Sequence, residues 1–204
     1  MNYRVLLIAA ITISLCYCTS PSGTDEQQQT ADSSQAATAQ QQVDSSFLLT
    51  KGKAGSIFVG QTYKELLTIF GAENVKTITE QGEEGATEKV FDIYCGSDKT
   101  KPAIKAIADE SGQRIDRTIL IDNRYKTNRG IGVGNTFGEF KRAYTDVQVG
   151  TNLYAEPQAF SMQLDGFSFG LDGEAFTYEA YPDQSVPLSS IPDNVKIINI
   201  YVYL

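Results

Sequence analysis

The glycines of "GIGVGNTFGEF", Gly130 to Phe140, are the residues whose spacing most suggests chemistry. Backbone N–H groups exposed at the start of a helix can cradle a phosphate. The run has neither the Walker spacing nor the dinucleotide spacing, however, so a nucleotide loop is not indicated. Four carboxylates, Asp165, Asp172, Glu174 and Glu179, lie close together in sequence. A pair of them could act as general acid and base in a hydrolase. Three sit in or beside the turn sequences "LDG" and "LDGE", where carboxylates are usually solvated. The same oxygens could hold calcium, but "DGFSFGLDGE" does not have EF-hand spacing. The chain contains no histidine, which removes Ser-His and Cys-His relays and the commonest zinc ligand. Cys95 lies in "KVFDIYCGSD", which alternates as a strand does, and reads as a core thiol.

The segments that would position these residues explain the glycines. "SIFVGQTYKELLTIFGAENV", from Ser56, aligns without a gap to "GIGVGNTFGEFKRAYTDVQV", from Gly130. Ile57 matches Ile131, Val59 matches Val133, Gly60 matches Gly134, Thr62 matches Thr136 and Glu65 matches Glu139. Gly130 and Gly132 have no glycine counterpart. Both segments carry T-x-x-E, a capping box in which the Thr hydroxyl accepts from the N3 amide and the Glu reaches back to the Thr amide. Gly60 and Gly134 allow the turn into that cap. The glycines therefore read as punctuation for two short helices. Tyr63, Leu66, Leu67 and Phe70 recur at helical spacing in the first helix, as do Phe137, Phe140 and Tyr144 in the second. Gly71 is a natural stop for the first.

Strand-like runs follow each helix. The first set is "NVKTITEQ", "EKVFDIYCG", "PAIKAIAD" and "RIDRTILIDNRY"; the second is "DVQVGTNLY", "AFSMQLDG", "FSFGLDG" and "VKIINIYVYL". Turn residues separate them. A polar insertion, "PDQSVPLSSIP", falls between Pro182 and Pro192. The expected fold is α+β, with two tandem repeats, 48–128 and 129–204, each a short capped helix followed by an antiparallel sheet.

The amino terminus specifies an address. Arg4 precedes an apolar run, Val5 to Leu15, of about eleven residues, too short to span a bilayer. The pattern resembles a lipoprotein signal over residues 1–18. Cys18, or alternatively Cys16, would be acylated; each buried methylene adds about 0.8 kcal/mol of membrane affinity. Residues 19–47 are dominated by Gln, Ser, Thr and Ala and read as a disordered tether reaching on the order of 30 Å.

The folded remainder suits one domain or two small subdomains. With a formal net charge of −8 and no basic stripe, the chain is not built for nucleic acid. After export processing the folded head would hold only Cys95, so no internal disulfide is expected within it.

"VGQTYKELLTIFGAENV" resembles the helix motif of BamE/SmpA-type lipoproteins. The tandem arrangement is similar to the β-lactamase-inhibitor-protein fold and to repeats of uncharacterised Bacteroidetes lipoproteins. The Pro that often follows the Gly in the BamE-like motif is Ala72 here. The resemblance implies a BLIP/BamE-like fold and transfers no binding residue. Together these features lead us to expect a non-enzymatic protein-interaction module, free of cofactor and metal. It would be lipid-anchored in a Gram-negative envelope, at the outer membrane, with an envelope or secreted protein as partner. Tyr154, Phe160, Phe167, Phe169, Tyr178 and Tyr181 are the expected contact anchors, of which alternate members would form core. An envelope hydrolase and a calcium or small-ligand binder are the alternative expectations.

Overall fold

The structure, a computed structural model, describes residues 44–81, 87–152, 154–179 and 184–204. The signal segment, Cys16, Cys18, Tyr181 and most of the expected tether lie outside the described residues. The tether's last residues are ordered earlier than expected. Ser45–Phe47 forms a 3-10 turn capped by Asp44, and the Phe47 ring meets Tyr125 edge-on at 5.3 Å.

Among the described residues the chain is mostly β. Three short strands, β1 (Leu49–Thr50), β2 (Lys53–Ala54) and β3 (Ile57–Phe58), form a three-stranded sheet. Helix α1 (Tyr63–Phe70) follows, then β4 (Val75–Gln81), β5 (Thr87–Ile93), β6 (Ile104–Ala108) and β7 (Ile115–Leu120). Helix α2 (Phe137–Ala143) precedes β8 (Gln148–Thr151), β9 (Pro157–Phe160), β10 (Phe167–Leu171) and β11 (Ile197–Val202). The last eight strands make one antiparallel sheet in the order β4-β5-β6-β7-β11-β10-β9-β8.

This architecture overturns the expected α+β pair of helix-plus-sheet repeats. Each meander was expected to close a sheet of its own. Instead β7 pairs with β11, Ile119 opposite Tyr201, so each meander ends on the other and the ladder runs through all eight strands. The helices span 8 and 7 residues, which leaves the fold mostly β. The three-stranded sheet was not expected at all, because two-residue strands are too short to show alternation.

Both helices begin as their sequence dictates. Thr62 accepts from the Glu65 amide at 3.3 Å while Glu65 accepts from the Thr62 amide at 2.8 Å. Thr136 and Glu139 make the same exchange at 3.2 and 2.6 Å. Gly71 ends α1 at φ 82°, its amide bonded to the Leu67 carbonyl.

Both helices pack on the same face of the large sheet. Tyr63 of α1 stacks on Phe91 of β5 at 4.7 Å, and Phe140 of α2 tilts against Phe169 of β10 at 4.9 Å. Residues in register with those two strand aromatics share that face, among them Ala106, Leu120, Ile200 and Ala159, and all are fully buried. Burying side chains of this size contributes about 1.5–3 kcal/mol each. The expected polar insertion contributes too: Val186 and Ile191 join the core, and Ser185 bridges to Gly150 beside β8.

Candidate functional site

Side chains alternate across a strand, so register assigns the opposite, helix-free face. From the β4 edge inward it presents Lys76, Ile78 and Glu80, then Glu88, Val90 and Asp92, then Lys105 and Ile107, then Arg117 and Ile119. The row continues through Tyr201 and Asn199, Ser168 and Gly170, Gln158, and Phe160 and Gln148.

The face has two halves of different chemistry. On β4–β7 charges interlock: Lys105 pairs with Glu80 at 2.5 Å and Arg117 with Glu88 at 2.7 Å. Val90 and Ile107 lie opposite each other between these pairs, 1% and 6% exposed, outside the main core cluster. On β8–β11 the groups are neutral. Ser168 donates to Gln158 at 2.5 Å, and the Asn199 amide lies over Gly170, where a Cβ would collide with it.

Asp92 stands out. It is 6% exposed, its Oδ1 has no hydrogen-bond partner among the described residues, and it lies in register with Lys76 and Lys105. Burial pushes its carboxyl up, Lys105 pulls it down, and Glu80 pushes it up again. Lys76 and a hydrogen bond from Tyr94 also pull it down, but burial prevails, which costs stability, and groups of this kind concentrate at functional sites. Sequence reasoning missed this face because it named the strands without assigning their faces. The alternation of Lys76 and Glu80, Glu88 and Asp92, and then Lys105 was the available signal.

The expected anchors scatter. Phe167 and Phe169 are 4% and 0% exposed on the helix side, so they are core and not contact residues. Tyr154 is 58% exposed in the β8–β9 connection. Tyr178 tilts against Phe176, and its hydroxyl donates to the Ala155 carbonyl. Phe160 reaches the helix-free face beside an open hollow of about 580 Å³ lined by Val147, Gly150 and Leu188.

The glycine run is structural. Gly130 and Gly134 have φ of 76° and 87°, the left-handed region that favours glycine. Gly132 passes so close to the Tyr125 carbonyl that a Cβ would strike it. Two of the four carboxylates raised for hydrolysis or calcium are engaged elsewhere. Asp165 pairs with Lys51, and Asp172 caps the 3-10 turn Gly173–Ala175. No group of three or more metal-ligating side chains converges among the described residues. The Cys95 thiol is half-buried, and burial pushes it up, away from thiolate chemistry.

No protein family and no curated protein matches the chain, so none of the resemblances drawn from the helix motif and the tandem arrangement gains support there. The chain is similar in structure to the uncharacterized protein yfeY from Escherichia coli, whose crystal structure it matches with a TM-score of 0.53. The identity is 14%, over 76% of this chain and 100% of that one, a likeness of fold alone.

Proposed function

We propose that this chain is a lipid-anchored envelope protein that binds another protein through the helix-free face of its eight-stranded sheet and catalyses no reaction. One observation carries the reading: a continuous sheet face, left uncovered by both helices, holds buried and half-buried charges around Asp92, whose Oδ1 has no hydrogen-bond partner among the described residues. A partner whose charges matched the alternating charges of β4–β7, with Asp92 buried beneath them, would gain both affinity and register. The neutral half, with Tyr201 and Phe160, offers aromatic surface for the centre of a contact. A net charge of −8 favours a neutral or cationic partner over nucleic acid.

The address follows from residues 1–47. The short apolar run, the cysteine pair and the polar tether support acylation at Cys18 and a stand-off from the outer membrane of a Gram-negative cell. Crosslinking in cells followed by mass spectrometry should recover a saturable envelope or secreted partner, and Cys18→Ser should release the protein from membranes. Correct localisation with no saturable partner would refute the binding role.

A further inference from the structure

Among the described residues, strand β4 ends the large sheet and has one neighbour, β5, through seven regular pairs without a bulge. Its sequence, VKTITEQ, contains neither Pro nor Gly. Solitary edges are ordinarily shortened, bulged or interrupted by proline to prevent pairing with another chain. Among the described residues this edge carries none of those three devices, and its protection is limited to the charges of Lys76 and Glu80.

Its free groups can be assigned. Tyr94 donates to the Asn74 carbonyl at 2.9 Å at the start of the β4–β5 ladder. Antiparallel alternation then aims the backbone groups of Lys76, Ile78 and Glu80 at β5, and those of Val75, Thr77, Thr79 and Gln81 outward. No backbone hydrogen bond among the described residues reaches those outward groups.

We propose that β4 is a self-association edge, at which two copies of this chain pair antiparallel about Ile78. The sequence is complementary to its own reverse at that centre. Ile78 falls opposite Ile78, Thr77 opposite Thr79, and Lys76 opposite Glu80 of the second copy, twice by symmetry. The centre also suits the hydrogen bonding. Ile78 turns its backbone groups inward, so the Ile78 pair is a non-hydrogen-bonded one, and the free groups of Thr77 and Thr79 exchange bonds on either side of it. The charges agree as well. Glu80 lies directly opposite Glu88, an unfavourable like-charge neighbour, with Lys105 already on one side at 2.5 Å. The second copy's Lys76 would arrive on the open side. Paired this way, the helix-free faces of both copies lie on the same side of one continuous sheet. The inference does not rest on the partner reading: backbone pairing uses the strand's edge, although Lys76, Ile78 and Glu80 also border the helix-free face.

The test is sedimentation velocity on the full-length chain in detergent, from about 1 to 200 µM. The wild type should shift reversibly from monomer to dimer. Lys76→Glu and Glu80→Lys each place like charges opposite one another and should weaken the dimer at least fivefold. An equimolar mixture of the two variants should regain it, because each supplies the charge the other lost. Ile78→Cys should give a disulfide-linked dimer on mild oxidation, and Lys64→Cys, on the exposed side of α1, should not. Unchanged thermal unfolding of each variant would exclude misfolding as the cause. A monomer throughout, a mixture that stays monomeric, or equal crosslinking at residues 64 and 78 would overturn the proposal.

Discussion

Gly60 and Gly134 hold one backbone geometry at two places in the chain. Their φ values are 90° and 87°, and their amides donate to Ile115 and Ile197 at 2.7 and 2.8 Å. Each carbonyl accepts from a cation just before the strand it meets, Arg114 at 2.8 Å and Lys196 at 3.1 Å. The turn into each helix is thus tied to the start of β7 or β11, the two strands that pair at the middle of the sheet. The capping boxes set where the helices begin, and these bonds set where the helices lie.

Removing either cap hydroxyl should therefore be felt globally. Thr62→Ala and Thr136→Ala are each expected to cost about 1 kcal/mol, seen as a few degrees in Tm by calorimetry. The sites share no partner, so the double variant should lose the sum.

The carboxylates of the same caps predict an acid limb. Bonding to the Thr62 and Thr136 amides holds Glu65 and Glu139 below the usual carboxylate value of 4.5. A depressed folded pKa gives stability that is present above the unfolded value and lost as pH falls through the folded one. Asp98, held by Thr100, and Asp146, held by Ser161, act in the same direction. Tm should fall as pH drops below about 4.5. Glu65→Gln with Glu139→Gln should flatten that limb without removing it, as measured by thermal melts across pH.

The glycine run offers a graded series. Gly132→Ala drives a Cβ into the Tyr125 backbone carbonyl, which cannot swing aside as a side chain would. A loss of about 2–4 kcal/mol is expected. Gly130→Ala and Gly134→Ala meet open space and bear only the positive-φ penalty, about 1–2 kcal/mol each. Urea denaturation would rank the three. A nucleotide loop would instead lose ligand binding in all three with little change in stability.

Asp92 predicts the opposite sign. Burial raises its folded pKa above the usual 3.8, so its ionisation costs stability as pH rises through that region. Asp92→Asn should stabilise the isolated protein at pH 7 by roughly 0.5–1 kcal/mol, with the gain shrinking towards pH 4. It should also weaken partner binding. A destabilised variant would mean that Lys76 and Lys105 fully compensate the charge.

Local signals were legible in the sequence where one short segment determines the outcome. T-x-x-E fixes a helix start through bonds among four residues, and both boxes form where the sequence places them. Pairing over long distances was not legible. Nothing in "RTILID" or "INIYVY" states that β7 and β11 will be neighbours, yet that pairing makes one sheet of two meanders. Face assignment failed for the same reason. Phe167 and Phe169 look like aromatic anchors until the Phe140 ring covers the second of them. The Asp92 cluster assembles from three strands, so no single stretch of sequence displays it.

The central claim is that the helix-free face is where a protein partner binds. A photo-crosslinking residue placed at Ile119 or Tyr201, on that face, and at Lys64, on the exposed side of α1, tests it in living cells. The account predicts one shared partner captured from positions 119 and 201 and not from 64, with capture lost in Asp92→Asn. Equal capture from all three positions, or capture from 64 alone, would contradict it.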